Sequence, residues 1–154
     1  MSSQTEADAL EELQSADERI RQLRSELEDA DLESDEIDDL VDAYHSVEAV
    51  LDRWEERATD WDDFQGYVEF RNDLAETLEA APAYVPEREA FTEAERHVKT
   101  GGVSTSLDTS DFDAAREALA PARSVAETYD ALETAREERR KCYRRARRRA
   151  DDLR

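Results

Sequence analysis

The residues of this chain best equipped for chemistry are its arginines. Nineteen of the 21 basic residues are arginine, and ten basic residues crowd between Arg136 and Arg154 against only Glu137, Glu138, Asp151 and Asp152. That segment carries +6 in a chain of net charge -21, which leaves -27 on residues 1–135. A guanidinium presents a planar fork of donors that grips a carboxylate two-pronged or neutralises a phosphate. Three kinds of counterpart therefore fit Arg139, Arg140, Lys141, Arg144, Arg145, Arg147, Arg148 and Arg149. They are the acidic first or second helix of the same chain, an acidic partner or second copy, and nucleic acid. Six to ten phosphate contacts weaken about 10³- to 10⁵-fold between roughly 50 and 200 mM salt. The segment also offers only Tyr143 for base stacking. Protein-directed pairing is the leading expectation and nucleic acid the alternative.

Other chemistries find less to work with. Asp42 and His45, three apart, make one half of a carboxylate-bridged di-metal motif, which requires the half twice and two further glutamates. With 42 acids in 154 residues, an acid near each of His45 and His97 is expected by chance, and both histidines are expected on the surface. The pairs Glu76 with Glu79 and Glu89 with Glu93 could imitate a magnesium cluster, but that needs carboxylates converging from facing helices. Cys142 follows a run of cations, the setting of a reactive thiol, yet no histidine stands at a catalytic spacing. A small buried side chain is its expected role. Gly101-Gly102 lacks the lysine of a phosphate-cradling loop. No enzyme, metal or cofactor is expected.

The elements that must position these residues are helical. Charged residues make up 41% of the chain, with three glycines and three prolines, and the apolar residues recur at three and four. Eleven aromatics, most of them in phase with that pattern, argue against disorder. One domain over 1–154 is expected. A lone cysteine excludes an internal disulfide, the start lacks the pattern of a signal peptide, and no stretch approaches the roughly 20 apolar residues of a membrane span. The expected location is cytoplasmic, with no membrane.

Five helices are predicted, at 5–30, 35–60, 63–81, 87–99 and 111–153, with a mobile loop over 100–109. Ala9, Leu13, Ala16, Ile20, Leu23, Leu27 and Ala30 form a narrow heptad seam in the first. Ile37, Leu40, Tyr44, Val47, Leu51, Trp54, Ala58 and Trp61 form the strongest seam, in the second. The short Asp31–Asp35 corner between them predicts an antiparallel hairpin, with Ser34 or Asp35 as the next cap. Asp62 with Gln65 offers a capping box to the third helix. There Phe64, Tyr67, Val68, Phe70, Leu74 and Leu78 are the predicted core centre, and Gly66 leaves a kinked continuation of the second helix open. Pro86 suits the first turn of the fourth helix, which carries Phe91, Ala94 and Val98. Ser110 with Asp113 starts the fifth, whose seam slips phase from Phe112, Ala115, Leu119 and Ala122 to Val125, Tyr129 and Leu132 at a kink by Pro121.

Gly66-Tyr67-Val68-Glu69-Phe70-Arg71 and Ser110 through Pro121, in this acidic background, resemble an uncharacterised helical family from haloarchaea. The resemblance implies a helical fold and salt adaptation and brings no activity or site residues. Acid excess with only Lys99 and Lys141 as lysines points the same way. The reading is an all-α, salt-adapted coiled-coil scaffold or protein-interaction module, working with a protein partner or as a homo-oligomer. At 1 M salt the Debye length is about 3 Å, so the -27 on residues 1–135 is screened. Dilution to about 0.05 M salt unscreens it, and the helical circular-dichroism signal and melting temperature are expected to fall. An unchanged melt across that range would refute the salt dependence.

Overall fold

The computed structural model describes residues 2–82, 84–99 and 107–152, with side chains from Ala7 onward. The described chain is all-helical: α1 Ser2–Glu28, α2 Ser34–Ala58, α3 Phe64–Ala80, α4 Arg88–Val98, α5 Thr109–Ala118 and α6 Ala120–Asp152. None of these is long and apolar enough to cross a membrane. Of the loop expected at 100–109, residues 100–106 lie outside the described residues. Leu107 beyond it is fully buried, and Asp108 caps α5.

The chain divides into two compact units, Met1–Asp31 with Glu127–Arg154, and Leu32–Ala126. In the first, the narrow stripe of α1 is covered by α6. Ile20 and Leu23 pack with Leu132 and Ala135, flanked by Leu27 and Ala131. The pairing is antiparallel, because Asp17 meets Arg139 and the earlier Glu12 meets the later Arg145. In the second unit α2 runs antiparallel to α3, with Arg53 on Asp73 and Arg57 on Glu69. Within its own unit, the seam of α1 is thus covered by α6, and α2 pairs with α3. Heptad spacing states that a stripe must be covered, and says nothing of which stripe covers it.

Phe70 of α3 meets Phe112 of α5 at 5.1 Å between ring centroids, both fully buried. Truncating such a ring to alanine costs about 3–5 kcal/mol. Phe91, Ala94 and Val98 of α4 are buried as expected. So are Ile37, Leu40, Tyr44, Val47, Leu51 and Ala58 of the second seam, while Trp54 is half-buried.

Helix ends depart from the sequence reading. Glu33, not Ser34 or Asp35, occupies the N-cap of α2, and its N–H donates to Glu36 at 3.2 Å. Asp108, not Ser110, begins α5 in the same way, its N–H donating to Asp111 at 2.9 Å. Pro86 stands ahead of α4 rather than in its first turn, since Glu87 takes the left-handed conformation as N-cap. The predicted fifth helix is two helices separated at Leu119. Pro121 is the second residue of α6, where its missing N–H is harmless. Continued helix would instead set its ring against the Glu117 carbonyl. Beyond the break the buried line follows Ala122 and Ala126, while Val125 and Tyr129 are half-buried.

Helices α2 and α3 are separate, and the cap of α3 is Asp63 rather than Asp62. Its carboxylate accepts from Gly66 N–H at 2.8 Å and from Arg57 Nε at 2.9 Å. A Cβ on Gly66 would lie 2.7 Å from Asp63 Oδ2 and 3.0 Å from Arg57 Cβ. Gly66→Ala, which helix propensity alone favours, is therefore expected to lower the melting temperature, by about 2–4 °C. Thermal denaturation in molar potassium chloride checks the sign.

Candidate interaction surfaces

The eight predicted interaction residues divide by the face of α6 they occupy. Arg139 pairs with Asp17, and Arg145 reaches Glu12 at 3.9 Å. Both flank the α1–α6 seam, so the intramolecular counterpart is present for these two. Between them Cys142 is buried, its thiol 3.9 Å from the Glu12 carboxylate and 3.4 Å from Arg145 Nη2. Arg140 pairs with Glu137 at 3.2 Å and Lys141 with Glu138 at 3.9 Å, each within its own helix. Such exposed i, i+3 pairs contribute only about 0.3–0.5 kcal/mol and leave the cations available. Arg144, Arg147 and Arg148 are exposed and form no ion pair among the described residues. Lys141, Arg144, Arg145 and Arg148 line one shallow, basic groove with Glu138.

Arg149 is half-buried and lines a different groove, with Ala9 and Leu10 of α1 and Ala146 and Ala150 of α6. This groove is mostly apolar. Leu10 is 59% exposed there, and Tyr143 is 52% exposed. The spacing of Tyr143, Ala146, Arg147 and Ala150 at i, i+3, i+4 and i+7 sets all four on one side of α6.

The second surface was expected to be core. Trp61 is 80% exposed, Phe64 60% and Val68 37%. Phe64 and Val68, four apart, share one face of α3, and Trp61 stands in the turn just before it. The heptad count that assigned Trp61 to the second seam runs past the end of α2 at Ala58. The six positions expected as the core centre of α3 span two faces: Tyr67, Phe70 and Leu74 are buried, whereas Phe64 and Val68 are exposed.

The turn bearing these residues is firmly built. Arg57 donates to Asp63 and to Glu69 and stacks 5.2 Å over the Trp54 ring, while Trp54 Nε1 donates to Asp73 at 2.8 Å. Thr59 Oγ1 closes the end of α2 on the Glu55 carbonyl at 2.6 Å. Asp60 and Asp62 are exposed beside Trp61 and form no ion pair among the described residues. The tip is thus apolar in its middle and acidic at its edge.

A third concavity, lined by Tyr44, Glu48, Asp113, Arg116, Glu117 and Arg123, lies where α5 gives way to α6. Its cations are engaged. Arg116 forks onto Glu55 at 2.9 and 3.3 Å and reaches Asp52 at 3.0 Å. Arg123 donates to Tyr44 Oη at 3.3 Å and to the Arg116 carbonyl. Burial, reinforced by Glu48, pushes the Tyr44 phenol above its ordinary value, so it stays protonated. These groups hold α2 against α5 and the start of α6. Among the described residues, no three His, Cys, Asp or Glu side chains converge to hold a metal ion. His45 and His97 are exposed, the latter 3.7 Å from Glu93.

A domain of unknown function, DUF7118, matches residues 13–154. The chain belongs to that family. No curated protein and no solved structure matches it. The DUF7118 match takes in the aromatic tip and the whole arginine-bearing length of α6, whereas Leu10 precedes it.

Periodicity did not identify the tip of this DUF7118 chain. The signal that could have found it was local: Asp60, Asp62 and Asp63 around Trp61 make a capping segment, and residues ahead of a cap leave the helical seam. The Arg57 fork and the Gly66 N–H hold the Asp63 carboxyl below its ordinary value of 3.8. A depressed carboxyl stabilises the fold above that value, and the contribution is lost as pH falls through its folded pKa. Asp63→Asn is therefore expected to melt lower than the parent at pH 7. The gap should narrow as pH falls below 3.8. Paired melts across that range test this, and a gap that stays constant would count against an ionised cap.

Proposed function

We propose that this protein is a non-enzymatic, salt-adapted helical protein-interaction module, with the Trp61–Phe64–Val68 tip as its anchor. The observation that carries the reading is a tryptophan and a phenylalanine largely exposed on a carboxylate-rich surface. Aromatic side chains bury about 150–250 Å² each, and Trp is enriched among the residues that dominate interface energies. Apolar contact also suits concentrated salt, where attraction between exposed charges is screened beyond about 3 Å at 1 M. The Arg57–Asp63–Gly66 turn holds the tip in place before any partner arrives, which reduces the ordering cost of association.

A second reading, nucleic-acid binding through α6, draws on a separate observation. Arg144, Arg147 and Arg148 are exposed without an ion pair among the described residues. The test treats both together. The full chain is recovered from its native extract in molar potassium chloride, and bound protein and nucleic acid are both assayed. The module reading expects a protein partner, or a second copy, that is lost on Trp61→Ser with Phe64→Ser. It fails if neither is recovered and the chain is a strict monomer by light scattering. The second reading expects labelled duplex to be bound at that salt and released by Arg144→Gln with Arg147→Gln and Arg148→Gln. It ends if the parent binds no duplex.

A further inference from the structure

Resting on the module reading, we infer that the occupant of the aromatic tip is a second copy of this chain, which receives it in the groove between α1 and α6. The two surfaces are complementary in both of the ways that matter. The tip presents Trp61, Phe64 and Val68 with Asp60 and Asp62 at its edge. The groove presents Leu10, Ala146 and Ala150, with Arg149 in its wall and Arg147 on the same side of α6. An apolar protrusion edged by acid meets an apolar recess edged by arginine. Small alanines at the recess let a large ring approach the helix backbone closely, and Leu10 supplies an apolar wall of its own.

The electrostatics favour this pairing over a tip-to-tip or groove-to-groove contact. Two tips bring the carboxylates of Asp60 and Asp62 together, and two grooves bring the exposed Arg147 guanidiniums together. Unlike surfaces avoid both repulsions and place the exposed aspartates beside the Arg147 guanidinium, a well-matched fork for a carboxylate. A contact of unlike surfaces either closes reciprocally between two copies or propagates from copy to copy. Concentrated salt permits it: the bulk repulsion of two chains of net charge -21 is screened, while burial of Trp61, Phe64, Leu10 and Tyr143 is not.

The experiment uses the full chain in molar potassium chloride, with self-association followed by sedimentation and light scattering. One variant carries Trp61→Ser and Phe64→Ser, the other Leu10→Asp and Ala150→Glu. All four positions are exposed, so both variants should fold, and circular dichroism confirms it. Each alone is expected to weaken self-association at least about 30-fold, the effect of losing a hot-spot side chain. Mixed in equal amounts they are expected to form a 1:1 complex, because the intact tip of one meets the intact groove of the other. A mixture that stays monomeric, or a groove variant that self-associates like the parent, overturns the inference. A monomeric parent that instead captures a different protein through Trp61 overturns the second copy and leaves the module reading standing. A monomeric parent with no Trp61-dependent partner overturns both.

Discussion

The narrow apolar stripe of α1 and the wider apolar face of α2 each need a cover, and much of the structure follows from that need. A stripe a single side chain wide supplies little burial per turn, so helices of this composition hold together only where a second stripe lies along them. The α1–α6 pair meets the requirement with Ile20, Leu23, Leu132 and Ala135. The second unit meets it with the larger residues Phe70, Phe112, Leu40 and Leu51. Arginines frame these contacts: Arg139 and Arg145 beside the α1–α6 seam, Arg116 between α2 and α5, and Arg57 at the α2–α3 turn.

The same acid excess that sets the net charge also ends the helices. Glu33, Asp63 and Asp108 each stand at an N-cap, and two of them accept the reciprocal help of an acid three residues on. Carboxylates at helix starts satisfy orphan N–H groups and complement the positive end of the helix dipole. In a chain so rich in acid, candidate caps occur every few residues, and packing chooses among them. That choice moved the start of α5 ahead of Ser110 and placed the α3 cap at Asp63 rather than Asp62. At Asp63 it also explains why the third residue of a helix is a glycine.

Cations on α6 do different work on different sides of one helix. Arg139 and Arg145 are structural, whereas Arg144, Arg147 and Arg148 remain outside every ion pair of the described residues. A dense cluster of arginines along one helix therefore does not act as one patch. A 100° step per residue distributes consecutive side chains around the helix, and only the flank nearest α1 is drawn into the fold.

Fold class, the existence of the helices and most of their buried residues were legible in the sequence, because a spacing of three and four is a direct consequence of helix geometry. Ile37 through Leu51, Phe91 through Val98 and Phe112 with Ala115 were read correctly on that ground alone. Periodicity identifies a face and does not identify what covers it. Only the tertiary structure decided that α1 lies along α6, that α2 takes α3, and that Arg139 is engaged while Arg144 is not. It alone decided that Trp61, Phe64 and Val68, apolar and in phase, stay in solvent. The reason is physical: burial depends on long-range partners and on where a cap interrupts the helix, and neither is encoded in the local spacing of apolar residues.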